Sequence, residues 1–103
     1  MIEKVETVVG RSGDGKSFYI LRQIRDLDQR TPLRISITEV LNLSHVIKQL
    51  HAARQEERRA IYFDISGYAP LVAVNRMLFE LLVWRRISNY ETGEVPLFPR
   101  FGL

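Results

Sequence analysis

The stretch that most narrows what this chain can become is Gly10-Arg11-Ser12-Gly13-Asp14-Gly15-Lys16-Ser17. It reads G-x-x-x-x-G-K-S with an extra glycine inside it. Glycines there let the backbone pass through positive φ and gather several N–H groups on one concave side, where an anion can sit. Lys16 adds a mobile cation able to lie along β and γ phosphates, and the Ser17 hydroxyl can ligate Mg²⁺. A helix starting behind such a loop points its positive end at the same anion. The pattern therefore asks for a strand before it and a helix after it.

Both flanks can answer. Val5, Val8 and Val9 make a short β-favouring run ahead of Gly10. Behind Ser17, the residues Ile20, Leu21, Ile24 and Leu27 recur at helical spacing. Phe18 to Leu21 is also good strand sequence, and Asp14-Gly15 between apolar runs is a strong hairpin signal. A second reading stays open, in which Val5 to Val9 and a strand from Ser17 form an N-terminal β-hairpin. Whether residues 17 to 27 are helix or strand decides between the two, because a strand leaves no helix N-terminus to face the anion.

Further along, Thr31-Pro32 closes the first helical segment. Leu33 to Val40 alternates Leu33, Ile35 and Ile37 with Arg34, Ser36 and Thr38, and reads as a strand. Asn42 or Ser44 can cap a helix that carries Leu43, Val46, Ile47 and Leu50 on one face and ends in the charged run Gln55 to Arg59. Ala60-Ile61-Tyr62-Phe63-Asp64 is a compact apolar run ending in an acid. An acid at the carboxyl end of a buried strand can face Mg²⁺ beside a phosphate loop. The plainer use of Asp64 is to cap the turn at Ser66-Gly67.

Pro70 suits the first turn of a helix from Leu71 to Trp84, apolar almost all round and broken by Asn75, Arg76 and Glu80. Those residues, in so short a run, exclude a membrane span. A helix without a broad polar face needs cover on more than one side, so a homo-oligomer or protein partner is expected through Leu71–Trp84 and the C-terminal tail. That tail, 89–103, carries Pro96 and Pro99 among Val95, Leu97, Phe98, Phe101 and Leu103, and is expected to pack on the domain or on a neighbour.

Composition bounds the rest. The 103 residues suit a single domain over 1–103, and 46% hydrophobic with 26% charged content is that of a folded chain. The absence of cysteine removes disulfides, thiolate metal sites and a cysteine nucleophile. Glu3, Lys4 and Glu6 interrupt any apolar leader, and a cytoplasmic location is expected. A net charge of +3 gives nucleic acid only a weak pull. Phe18, Tyr19, Tyr62, Phe63 and Trp84, interleaved with arginines, would serve a single-strand-binding surface under the hairpin reading. His45 and His51 are six apart, share no helical face and complete no metal pattern. No G-x-S-x-G elbow is present.

The order strand, glycine loop, helix, strand, helix, strand ending in Asp, helix resembles the front part of a P-loop NTPase. GRSGDGKSFYILRQI, followed by a second strand and an apolar strand closing in Asp64, is most similar to the zonula-occludens-toxin-like assembly ATPases of filamentous phages. The resemblance covers about the first 65 residues and is specific at Gly10 to Ser17. It implies an α/β fold, a small parallel sheet with flanking helices, against an α+β alternative with the N-terminal hairpin. It also implies ATP or GTP with Mg²⁺, held by Gly10, Gly13, Asp14, Gly15, Lys16 and Ser17, with Ser17 and Asp64 on the metal. Many such enzymes place a catalytic Glu after the metal-site Asp; Ile65 stands there in this chain. Asp64-Ile65-Ser66-Gly67 matches the D-x-x-G of GTPases, but no N-K-x-D follows, and Asp14 puts a negative charge inside the loop. Nucleotide binding is therefore expected more readily than fast turnover. The runner-up is a non-enzymatic α+β module that binds a protein partner or single-stranded nucleic acid.

Overall fold

Two strands, β1 (Leu33–Ile37) and β2 (Ile61–Ile65), run parallel in a computed structural model that describes residues 16–27 and 33–98. Their register pairs Leu33 with Ile61 and, stepwise, Ile37 with Ile65. A parallel pair needs a crossover connection, which α2 (Leu43–Gln55) supplies. Side chains of a strand alternate between faces, so the register sorts the residues of both strands at once. Leu33, Ile35, Ile37, Ile61 and Phe63 take one face and belong to the main core. Arg34, Ser36, Tyr62 and Asp64 take the other.

The main core lies between the apolar face and the helices on it. From α2 it takes Val46, Ile47, Leu50 and Ala53, the stripe expected from the helical spacing. From α3 (Leu71–Phe79) it takes Val74 and Met77. Each fully buried aliphatic side chain contributes about 1.5–3 kcal/mol relative to an exposed one. The Asn42 side chain caps α2, its Oδ1 accepting from the His45 N–H at 3.0 Å. Pro70 precedes Leu71 as the N-cap of α3, one position earlier than a first-turn proline. The helix continues through a single π turn, Glu80–Trp84, and stops where Arg85 enters the left-handed region at φ 56°. Together these cover the whole of Leu71 to Trp84.

β1 stops at Ile37, short of Val40. The last bond across the pair runs from the Ser66 N–H to the Ile37 carbonyl at 2.8 Å, after which β2 has turned away. Thr38 to Val40 therefore have no ladder to join. Beyond the π turn the chain doubles back on itself. Ile87 N–H donates to Pro96 O at 3.2 Å and Asn89 N–H to Glu94 O at 2.8 Å, around Gly93 at φ 77°. Phe98 is fully buried in the main core, its ring centroid 5.0 Å from that of His51. Residues 99–103 lie outside the described residues.

The polar face receives α1 (Lys16–Leu27), whose Ile20 and Leu21 pack against Ala60 and Tyr62. Residues 16–27 are thus helical, and the second hairpin strand that could begin at Ser17 is not formed. Helical apolar spacing, given a surface to pack on, outweighs the strand propensity of Phe18 to Leu21. The outcome is an α/β arrangement with helices on both faces of a parallel pair. No helix among the described residues is long and apolar enough to cross a membrane.

Candidate functional site

Of the expected site residues, the structure describes Lys16, Ser17 and Asp64. Lys16 and Ser17 are the first two residues of α1. Asp64 is the penultimate residue of β2, at its carboxyl end and on the face that α1 covers. Gly10, Gly13, Asp14 and Gly15, with the run Val5 to Val9, lie outside the described residues.

Asp64 does not cap the turn behind it. That task falls to Ser66, whose Oγ accepts from the Tyr68 N–H at 3.2 Å. The Asp64 carboxylate instead meets Arg34, with Nη2 2.6 Å from Oδ2. Since Arg34 is paired with Tyr62 and Ser36 with Asp64, the guanidinium reaches diagonally along the face toward the carboxyl ends of the strands. The two side chains are 58% and 38% exposed, so solvent screens the pair. Arg34 was not legible as a site residue. The alternation of LRISI puts it on the polar face, but only the register brings it to Asp64.

Asp64 offers one carboxylate at the strand end, whereas Mg²⁺ bound with a nucleotide keeps several waters and takes further oxygens from phosphates. Among the described residues no group of three or more His, Asp or Glu offers a self-contained metal cage.

A cavity of about 410 Å³ opens on the other side of the sheet, lined by Leu41, Pro70, Val72, Arg76, Met77 and Tyr90 among others. Neither Asp64 nor Arg34 lines it. Arg76 lies over the Tyr90 ring, 5.1 Å from its centroid. Beneath it, the buried Glu80 accepts from Ser88 Oγ at 2.7 Å and stands 3.8 Å from Arg86 Nε. This polar knot ties the π turn to the segment behind it.

Three of the aromatic residues lie on different parts of the fold. Tyr62 faces α1, Phe63 faces the main core and Trp84 sits on the π turn. His45 and His51 also stay apart, His51 against Phe98. No family model, no curated protein and no solved structure matches the chain.

Proposed function

We propose that the chain is a minimal P-loop-like domain that binds a Mg-nucleotide, ATP or GTP, and turns it over slowly at most. The observation that carries this reading is the helix beginning at Lys16 and lying on the Asp64 face of a parallel sheet. A GKS sequence at the mouth of such a helix supplies backbone N–H groups, a helix dipole and a lysine to one anion. Lys16 neutralises the phosphates, Ser17 and Asp64 hold the cation, and Mg²⁺ supplies charge stabilisation on the phosphate oxygens. Ile65, in the place of a catalytic Glu, leaves no residue there to activate water.

Handedness supports the same reading. Parallel crossovers are almost always right-handed, so helices on opposite faces step in opposite directions across a sheet. With α2 stepping from β1 to β2, a crossover through α1 on the other face must arrive at β1 from beyond β2. A strand feeding α1 in this sheet therefore belongs on the free edge of β2. A strand on that edge would lie beside the strand that bears Asp64.

The test is a melting-temperature series with Mg-ATP, Mg-GTP and an oligonucleotide over a range of salt. Binding to the native state raises the melting temperature by mass action. The expected result is a nucleotide shift that Lys16→Ala abolishes. No shift at millimolar nucleotide overturns the reading. A salt-sensitive oligonucleotide shift untouched by Lys16→Ala transfers it to nucleic-acid binding.

One further observation favours a protein contact. Leu71, Val72, Phe79, Val83 and Trp84 are exposed along α3 and the π turn, with Phe79 and Trp84 edge to face at 5.1 Å. We propose that a second copy or a protein partner covers this face, which light scattering at micromolar concentration tests.

A further inference from the structure

We propose that the cavity where α3 meets Ser88 and Tyr90 binds a free amino acid with an apolar side chain. None of its lining residues belongs to β1 or β2, and Asp64 is not among them, so its ligand is independent of any nucleotide. The volume, about 410 Å³, falls in the range of small-molecule sites, which runs from about 300 to 1,000 Å³. Leu41, Leu43, Val72 and Met77 make the walls apolar. Met77 and Glu80 are buried at the floor, whereas Val72, Arg76 and Tyr90 stand exposed at the rim.

The charges on that frame select the ligand. Arg76 and Glu80 are one helical turn apart, the Glu80 N–H donating to the Arg76 carbonyl. Opposite charges at that spacing are neighbours on a helix surface and can pair. These two do not pair. Arg76 lies over the Tyr90 ring at 5.1 Å, and Glu80 accepts from Ser88 Oγ through Oε1 at 2.7 Å. On Oε2 the Ser88 N–H stands at 3.4 Å, longer than the usual range of about 2.7–3.2 Å. Arg86 Nε is 3.8 Å from Oε1, beyond hydrogen-bond reach, and Arg86 does not line the cavity. A buried carboxylate oxygen with one long bond has room for a stronger donor. Glu80 thus offers Oε2 to an ammonium group, and Arg76 offers a planar fork to a carboxylate. A ligand with both groups on one carbon meets both residues at once, and an apolar side chain beside them covers Leu41, Leu43 and Met77. Leucine and phenylalanine have that chemistry. A peptide chain carries only one of the two charges at either end.

The experiment is a ¹⁵N NMR titration of the whole chain with leucine, N-acetylleucine, leucinamide and glycine. Leucine should shift the Met77, Ser88 and Tyr90 amides and leave those of Asp64 and Ile65 in place. N-acetylleucine lacks the ammonium and leucinamide the carboxylate. Each should bind about tenfold or more weakly, the worth of one hydrogen bond to a charged group. Glycine, with both charges and no apolar side chain, should not saturate where leucine does. Arg76→Gln should erase the preference for leucine over leucinamide and keep the preference over N-acetylleucine. Glu80→Gln should do the converse. Glu80 also holds Ser88, so if that variant fails to fold, the wild-type series and Arg76→Gln decide. No shift at millimolar leucine overturns the inference, as do equal midpoints for leucine and either derivative, or shifts that lie away from the cavity. An Arg76→Gln chain that still prefers leucine to leucinamide overturns it as well. Nucleotide binding, read from melting temperature, is untouched by any of these outcomes.

Discussion

The two faces of the β1–β2 pair are built from opposite materials. One face is Leu33, Ile35, Ile37, Ile61 and Phe63 under α2 and α3, closed by Phe98 from the far end of the described chain. The other is Arg34, Ser36, Tyr62 and Asp64, and α1 packs on it with Ile20 and Leu21 against Ala60 and Tyr62. Burial on the first face leaves no polar group to do chemistry; exposure on the second leaves charges that contribute little to holding the fold. In so small a chain, stability lies on one side of the sheet and the proposed chemistry on the other. Substitutions on the two faces should therefore report on different things.

The largest effect is expected from Leu50→Ala. Leu50 is fully buried in the main core, and truncation removes transfer free energy and leaves a void. The expected loss is about 3–5 kcal/mol in urea unfolding, enough to threaten the fold of a domain this size. A loss below about 1 kcal/mol would mean that the site collapses freely, and that the α2 side is not the main source of stability.

Next comes Glu80→Ala. This buried carboxylate accepts from the Ser88 hydroxyl at 2.7 Å through Oε1, and Arg86 Nε stands 3.8 Å from the same oxygen. A hydrogen bond to a charged group is worth about 1.5–3 kcal/mol, and removing the acceptor leaves the Ser88 hydroxyl short of a partner and the Arg86 guanidinium without its nearby countercharge. The expected cost is in that range, with no change in nucleotide-induced melting shift. Loss of that shift would couple the π turn to the polar face and break the separation.

Much of the stable side was legible in the sequence, because it is periodic. The stripe Leu43, Val46, Ile47 and Leu50 identifies α2, the alternation from Leu33 identifies β1 though it overruns to Val40, and of the two caps the sequence offers, Asn42 and Ser44, Asn42 is the one used. What could not be read is anything that depends on register or on a break in period. Arg34 and Asp64 are thirty residues apart in sequence numbering, and only the pairing of Ser36 with Asp64 brings them together. The knot between Glu80 and Ser88 depends on the π turn, which no local propensity announces. Of the candidate phosphate loop, sequence pattern reaches Gly10 to Gly15, while the structure describes the helix start at Lys16 and Ser17.

Asp64→Asn should cost less than about 1 kcal/mol in unfolding, because its pair with Arg34 is exposed and screened. If Asp64 holds the cation as proposed, the same change should weaken Mg-dependent nucleotide binding by more than about tenfold, because it removes a carboxylate's charge from the ion. Calorimetry with and without Mg²⁺ separates the two effects. An unfolding cost comparable to Leu50→Ala would show that the polar face holds the fold together after all.

The smallest effect on stability is expected at Gly67, just beyond Asp64 in the turn that leaves β2. Gly67 is not among the residues at positive φ, and a Cβ added there meets nothing within 4 Å. Neither conformation nor space in the fold requires a glycine. Gly67→Ala should range from no change to a gain of about 0.5 kcal/mol, the gain coming from a less free unfolded chain. A glycine the fold does not need, next to the proposed metal carboxylate, is a place to look for a ligand's demand for close backbone approach. The informative measurement is therefore the ratio of two readouts on one variant, unfolding free energy and nucleotide-induced melting shift. Unchanged stability with a reduced shift would assign the glycine to the ligand and extend the chemical face past Asp64 into the turn. Unchanged values for both would end that face at the strand. A stability loss above about 1 kcal/mol would show that Gly67 visits a backbone conformation open to glycine alone, and the turn would then belong with the structural side.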